Sequence, residues 1–127
     1  MHILIVDDDP YVTDRYAQAL RGAGYGVSVC HDGEAALAEI SRGGYDLVFI
    51  DVVLPGRDGF GVLGALERRG AAHPPIVLLT NLGRREDVER GFLLGAVDYL
   101  VKARAAPADL VLKAEQVLGR AVLKETH

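Results

Sequence analysis

The stretch ILIVDDD at residues 3–9 predicts a buried strand that ends in three carboxylates. A second apolar run, DLVFID at residues 46–51, also ends in an acid. If the two strands are parallel neighbours, their acidic ends meet at one edge of the sheet, where the carboxylates repel unless a cation lies among them. Oxygen ligands without His or Cys suit a hard ion. The pattern therefore predicts a divalent metal such as Mg²⁺ beside a reactive Asp51.

Length and composition favour a small module with no membrane segment. A chain of 127 residues allows one domain, and we expect that domain to span 1–127. Its apolar runs fall far short of the roughly 20 residues that cross a bilayer, and no secretory signal pattern precedes them. We therefore expect a cytoplasmic protein. A net charge of −4 argues against direct nucleic-acid binding, and the single cysteine, Cys30, has no disulfide partner and is interpreted as a buried structural thiol.

Strand and helix patterns alternate along the whole chain. Short apolar runs bounded by Gly, Pro or Asp predict buried strands at residues 3–6, 27–30, 47–50, 76–79 and 99–101. Helix signals lie between them: Asp9-Pro10, Asp32, Asp58 or Gly59, the segment 84–94, and Pro107. This alternation predicts an α/β fold, a doubly wound parallel sheet with helices on both faces.

Polar side chains follow four of the predicted strands. Three acids at residues 7–9 follow the first strand, Asp51 follows the third, Thr80 follows the fourth, and Lys102 follows the fifth. Ligands of such sheets bind beyond the carboxyl ends of the strands. Each residue alone has an ordinary explanation, and Asp9 is best explained as a helix cap. Their coincidence at successive strand ends indicates a site.

The chain resembles the CheY-like response-regulator receiver domains of two-component signalling over essentially its whole length. The matching stretches are ILIVDDDP at 3–10, DLVFID at 46–51, LPGRDG at 54–59, PIVLLT at 75–80 and GAVDYLVK at 95–102. The resemblance, rather than periodicity, implies the flavodoxin-like strand order 2-1-3-4-5. It also implies a phosphorylation-activated function. Such a domain is not an enzyme for other molecules, since it promotes only its own phosphorylation and autodephosphorylation.

The resemblance assigns the chemistry residue by residue. Asp51 would be the phosphoacceptor, taking a phosphoryl group from a sensor histidine kinase or a phosphotransfer protein. Asp8, Asp51 and the backbone carbonyl of Val53 would ligate Mg²⁺ or Mn²⁺, with Asp7 acting through metal-bound water. Lys102 and Thr80 would stabilise charge on the transferred group.

Further positions carry the expected switch and its outputs. Tyr99 would turn inward as Thr80 closes on the phosphoryl group. Val53 and Leu82 would flank that group. Leu112 and Leu123 lie outside the apolar stripe of the last helix and would belong to a partner or homodimer surface on the fourth helix, fifth strand and fifth helix. The downstream target is not indicated.

The chain departs from the receiver pattern after Lys102, and three alternatives remain. Ala103 follows Lys102 where the family most often has a cis proline, so we expect a trans bond there. The chain also stops after the fifth helix, which suggests a single-domain protein or a piece of a longer one.

A pseudo-receiver that binds partners without phosphorylation is the main alternative. The glycines of GFGVLG at 59–64 match a dinucleotide motif but do not directly follow a strand. An aspartyl-phosphate phosphatase would need a second Asp after Asp51 and a cap.

Overall fold

The computed structural model describes residues 1–81 and 84–126, with side chains described through residue 119. Five strands form one parallel sheet in the order β2-β1-β3-β4-β5, which confirms the predicted fold class. The elements are β1 His2–Val6, α1 Pro10–Gly22, β2 Gly26–Cys30, α2 Gly33–Arg42, β3 Leu47–Asp51, α3 Gly59–Arg69, β4 Ile76–Thr80, α4 Arg85–Leu93, β5 Asp98–Val101, a 3₁₀ turn Lys102–Arg104 and α5 Pro107–Thr126.

Aspartate caps start the first three helices, at the predicted Asp9 and Asp32 and at Asp58, one of the two residues predicted for the third helix. The Asp9 carboxylate accepts the Tyr11 N–H at 2.9 Å, and Asp32 accepts the Ala35 N–H at 2.7 Å. Asp58 caps α3 by accepting the Gly61 N–H at 2.7 Å. These bonds satisfy backbone donors that a helix leaves unpaired at its first turn. By contrast, Arg84 begins α4 with no capping side-chain bond.

The sheet is covered on both faces, as a parallel sheet requires. One core cluster lies between the sheet and α2 and α3, and the other lies between the sheet and α1 and α5. All residues of β3 and β4 are buried, which matches their unbroken apolar sequence. The apolar stripe predicted on α5 consists of Leu110, Val111, Ala114, Val117, Leu118, Ala121 and Val122, and it is confirmed at Leu110, Ala114 and Leu118, which are buried. Residues 121–123, including Leu123, lie outside the described side chains. No described helix is long and apolar enough to cross a membrane.

The helix α4 is held to the sheet much more lightly than the others. Gly91 is its only buried residue, and a Cβ there would collide with the Leu78 side chain of β4. The Arg90 guanidinium lies 4.4 Å from the centre of the Phe60 ring of α3. Phe92 and Leu93 are exposed. Few buried apolar contacts mark α4 as the element of lowest local stability among the described helices.

The glycine-rich start of α3 serves packing. A Cβ at Gly59 would lie 2.5 Å from the Asp51 carbonyl oxygen, so the helix approaches the end of β3 closely only because this residue is glycine. At Gly61 and Gly64 a Cβ would meet side-chain atoms of arginines. Of the three glycines, Gly59 alone therefore allows a close approach to the sheet. A loop at residues 52–58 separates Gly59 from β3, unlike a dinucleotide site.

Cys30 behaves as a structural thiol. Its side chain is buried in the α2 and α3 core, and this burial raises the pKa of the thiol from 9.0 to about 11. Because the thiolate is the reactive form, a raised pKa and restricted access make the group inert. The structure supports the interpretation made from the sequence.

Candidate functional site

The strand ends converge as the sequence pattern predicted. The central strands β1, β3 and β4 are neighbours, with Val6 opposite Ile50 and Asp51 opposite Leu79. Asp7 and Asp8 leave β1 at the edge where Asp51 ends β3. Thr80 ends β4 opposite Val101, the residue before Lys102. Parallel pairing in register therefore brings residues from four distant segments to one edge.

Three carboxylates form the acidic part of this edge. Asp7, Asp8 and Asp51 each offer an oxygen, and these oxygens all lie within 4.8 Å of one another. Asp7 and Asp51 are 0% and 2% exposed, whereas Asp8 is exposed. Asp9 instead caps α1, as expected. The three-acid cluster is thus open to solvent on the side of Asp8 and closed on the other two.

Lys102 joins the two buried acids. Its Nζ lies 2.8 Å from Asp51 Oδ2, to which it donates a hydrogen bond, and 2.6 Å from Asp7 Oδ2. Burial lowers the pKa of Lys102, but the bond to Asp51 and the ion pair with Asp7 outweigh that effect and raise the pKa above its ordinary value. Lys102 is therefore a permanent cation in the site.

Burial dominates the titration of Asp51. Loss of solvent raises the pKa of Asp51 above its ordinary value, while the Lys102 bond and the Val53 N–H oppose this rise. The Val53 N–H donates to Asp51 Oδ1 at 3.0 Å, so each carboxylate oxygen has one donor. These donors fix the orientation of the carboxylate at the mouth of the site.

Asp7 shows that the site suits a cation. Asp7 Oδ1 accepts the Asp9 N–H at 3.1 Å. Asp7 Oδ2 lies 2.6 Å from Lys102 Nζ in an ion contact. It accepts no hydrogen bond from any described residue. A buried carboxylate oxygen that accepts no hydrogen bond costs free energy, and a hard cation beside that oxygen would reduce this cost. The donor set consists of oxygens, so the residues present fit Mg²⁺ or Mn²⁺.

The remaining predicted residues surround this centre. Thr80 is buried at the end of β4. Val53 is 62% exposed, on the loop that follows Asp51. Tyr99 is 36% exposed and lies edge-on to Phe92, with ring centres 6.2 Å apart. Leu82 lies outside the described residues. The functional roles of these residues stay predictions.

Sequence reasoning missed His31 as part of the site. Its Nδ1 lies 3.0 Å from the Asp7 carbonyl oxygen and donates to it, since a carbonyl can only accept. His31 directly follows β2, so the rule that directed attention to the other strand ends would have found it too. It holds the backbone of Asp7 from the β2 side.

The Lys102–Ala103 peptide bond is trans, as predicted, and no described peptide bond is cis. Residues Lys102–Arg104 form a 3₁₀ turn before α5. This turn reshapes the connection that a cis proline would otherwise make. The Lys102 ammonium reaches Asp51 without that proline.

Comparison with known proteins identifies the family. The family of the response regulator receiver domain matches residues 3–115, and the chain belongs to it. The transcriptional activator protein PfeR of Pseudomonas aeruginosa is 37% identical over 118 residues, which are 93% of this chain and 38% of PfeR. The transcriptional regulatory protein TcrA of Mycobacterium tuberculosis is 42% identical over 102 residues, 80% of this chain and 40% of TcrA. The chain thus spans less than half the length of either relative.

Solved structures show the same likeness. The BeF3-activated N-terminal receiver domain of RstA from Klebsiella pneumoniae is 36% identical, with a TM-score of 0.83 and coverage of 93% of this chain and 98% of that domain. Receiver domains of response regulators are signalling domains and not classical enzymes, and Mg²⁺ binding and phosphorylation are typical of them. They interact with histidine kinases. No finding favours a pseudo-receiver.

The raised pKa of Asp51 predicts that ionising this residue costs stability in the metal-free protein. The folded state holds the proton more tightly than the unfolded chain, so the penalty is absent below the ordinary pKa of 3.8 and grows as pH rises through the raised value. Asp51→Asn should therefore stabilise the metal-free protein at pH 7 by about 1 kcal/mol. The gain should shrink as pH falls toward 4, as measured by urea unfolding.

Asp14→Asn is the matched control, since Asp14 is exposed on α1 and its change alters net charge equally. Its effect should be small at every pH. Mg²⁺ stabilises a protein by binding to its folded state. Adding Mg²⁺ should therefore stabilise the wild type more than Asp51→Asn, because the variant lacks one of the expected metal ligands. Loss of stability in metal-free Asp51→Asn at pH 7 would show that the Lys102 bond outweighs burial.

Proposed function

We propose that this chain is a phosphorylation-activated receiver that accepts a phosphoryl group on Asp51 from a phosphohistidine. The observation that carries the proposal is the contact between Asp51 and Lys102 at 2.8 Å, within a cluster that also contains Asp7 and Asp8. A pseudo-receiver has no need to maintain a lysine and three acids at this cost in buried charge. The proposal covers the receiver alone and extends over residues 1–127.

Phosphoryl transfer requires little covalent chemistry from the protein. An ionised Asp51 oxygen attacks phosphorus, the P–N bond of the phosphohistidine breaks, and the bonding electrons leave with the imidazole. Lys102 and the Val53 N–H favour the ionised carboxylate and hold its plane before the attack. The Lys102 ammonium and the Thr80 hydroxyl would then stabilise charge on the transferred group.

A divalent cation, Mg²⁺ or Mn²⁺, would be held by Asp8, Asp51 and the Val53 carbonyl, with Asp7 acting through bound water. When bound, it supplies positive charge that neutralises the phosphoryl oxygens. The carboxylate spacing and the Asp7 oxygen that accepts no hydrogen bond support this assignment. Lys102 alone cannot balance three acids.

The proposed switch connects Thr80 to Tyr99. Thr80 would close on the phosphoryl group, and Tyr99 would turn inward into the space so vacated. Tyr99 lies partly exposed against Phe92, and α4 is lightly packed. Both features support such a movement, because few buried contacts resist it.

We assign the output to the face formed by α4, β5 and α5. Phe92, Leu93, Tyr99 and Leu112 are exposed apolar residues on this face. It would bind a second copy of the chain or a downstream protein whose identity is not indicated. The proposed donor is a sensor histidine kinase or a phosphotransfer protein. Direct nucleic-acid binding by this chain is not proposed, and a cytoplasmic location stays a prediction.

Incubation with acetyl phosphate and Mg²⁺ should add one phosphoryl group to the wild-type chain. Asp51→Asn should abolish the addition, because it removes the nucleophile, while Asp14→Asn should leave it unchanged. Intact-mass spectrometry measures the addition, and peptide mapping locates it. A folded wild type that stays unlabelled would establish the pseudo-receiver, and stoichiometric labelling of Asp51→Asn elsewhere would disprove the assignment of Asp51.

The aspartyl phosphate should be long-lived. Val53 and Leu82 are apolar and cannot orient an attacking water by hydrogen bonding, a loss that can slow hydrolysis by powers of ten. After removal of the donor, decay in Mg²⁺ should take many minutes. Val53→Asn combined with Leu82→Glu should accelerate it.

Val53→Ala separates two explanations of the long lifetime: the bulk of Val53 blocks water, or Val53 cannot orient water by hydrogen bonding. It removes bulk but orients no water, so it should accelerate decay less than Val53→Asn. Wild-type decay within seconds would contradict the argument.

The output face predicts a specific effect of Leu112→Glu. A charge buried in an apolar interface is costly, so this change should weaken dimerisation of the phosphorylated chain at least about tenfold. Ala38→Glu, which adds the same charge at an exposed position on α2, should not. Analytical ultracentrifugation measures both, and a phosphorylated wild type that stays monomeric would contradict the dimer.

A further inference from the structure

The loop at residues 52–58 carries Val53 past the acidic cluster, and few contacts hold it. At its ends, the Val52 N–H donates to the Leu79 carbonyl at 3.0 Å and the Gly59 N–H donates to the Val52 carbonyl at 2.9 Å. Leu54 is buried in the core below the loop. The outer side, at Val53, Pro55 and Gly56, is exposed. Apart from the Val53 N–H, which donates to Asp51 Oδ1 at 3.0 Å, the position of this outer side depends on what holds the loop laterally.

Arg57 supplies a lateral contact to α2. Its Nε donates to Glu34 Oε1 at 2.7 Å. Two glycines make room for it. A Cβ at Gly61 would lie 2.8 Å from Arg57 Cγ, and a Cβ at Gly33 would collide with the Arg57 carbonyl oxygen. Backbone, stem and charged end of Arg57 thus each occupy a defined place.

The start of α2 is itself attached to the acidic site. His31, two residues before Gly33, donates to the Asp7 carbonyl. Asp32 between them caps α2 by accepting the Ala35 N–H. The Arg57–Glu34 pair therefore connects the loop of Val53 to the segment that holds the backbone of Asp7.

We propose that Arg57, acting through Glu34, is a positioning residue that holds the Val53 loop for divalent-cation binding. This inference rests on the function proposed above. The side chains of Arg57 and Glu34 are 33% and 66% exposed, and such pairs contribute little to global stability. Loss of the pair loosens the loop without unfolding the domain.

Calorimetric titration of the full chain with Mg²⁺ alone tests the proposal. Partners that orient metal ligands typically change affinity by about 10 to 100-fold. Arg57 is one step further from the metal, because it acts on the ligands through the backbone of its loop, and the small free energy of an exposed ion pair limits its effect. Arg57→Ala therefore raises the Mg²⁺ dissociation constant about two- to fivefold. Arg57→Glu raises it at least as much. Arg57→Glu combined with Glu34→Arg restores an affinity near that of the wild type.

Hydrogen exchange of the metal-free protein gives a second readout. In Arg57→Ala the amides of Val53 and Gly59 exchange faster, since their bonds to Asp51 and Val52 close the loop. Arg42→Ala is the matched control. It removes an exposed Arg–Glu pair at the far end of the same helix, Arg42 with Glu39 at 2.7 Å, and changes neither the affinity nor this exchange.

The outcomes separate the two proposals. If acetyl phosphate labels Asp51 in the wild type but Arg57→Ala binds Mg²⁺ as the wild type does, the positioning role is wrong and the receiver function stands. Failure of the reversed pair to restore affinity also overturns that role. A wild type that binds no Mg²⁺ and takes no phosphoryl group overturns both.

Discussion

The contact of one ammonium group with two buried carboxylates is the constraint on which the rest of the site depends. Lys102 lies between Asp7 and Asp51, which leave neighbouring strands with almost no exposure to solvent. Two such acids at short range would repel and lose their charge without a cation. One lysine does not supply hydrogen bonds to both acids, since Asp7 Oδ2 has an ion contact with Lys102 but no hydrogen bond. The site is therefore stable enough to fold and still attracts a further positive charge.

The strands and helices around this site differ in how much of their surface is buried. The strands β3 and β4 are fully buried, whereas α4 buries only Gly91. Asp51, the proposed phosphoacceptor, lies at the end of the fully buried strand β3, and the exposed aromatic pair of Phe92 and Tyr99 lies on the weakly held side. Rigid placement of the reacting group beside a lightly packed helix suits a domain that converts a covalent change into a change of surface.

Predictability fell with separation along the chain. Local signals placed the helix caps at Asp9, Asp32 and Asp58, because a capping side chain acts within three residues of itself. The strand-end rule assembled the acids and Lys102, but it was not applied to β2, and so His31 was missed. The partners of the Arg57–Glu34 pair are 23 positions apart, and the pair has no sequence signal. It depends on Gly33 and Gly61 leaving space, which only packing reveals.

By itself, the sequence determined the α/β class, the five strands and the residues at their carboxyl ends, because apolar runs and turn residues act locally. The order of the strands was not derivable from periodicity and came from resemblance to receivers. Only the tertiary structure decided that Gly59 alone of its motif packs on the sheet, that Lys102 contacts both buried acids, and that one Asp7 oxygen lacks a hydrogen bond. Those facts depend on distances between side chains remote in sequence, and distances of that kind are set by the packing of the whole domain.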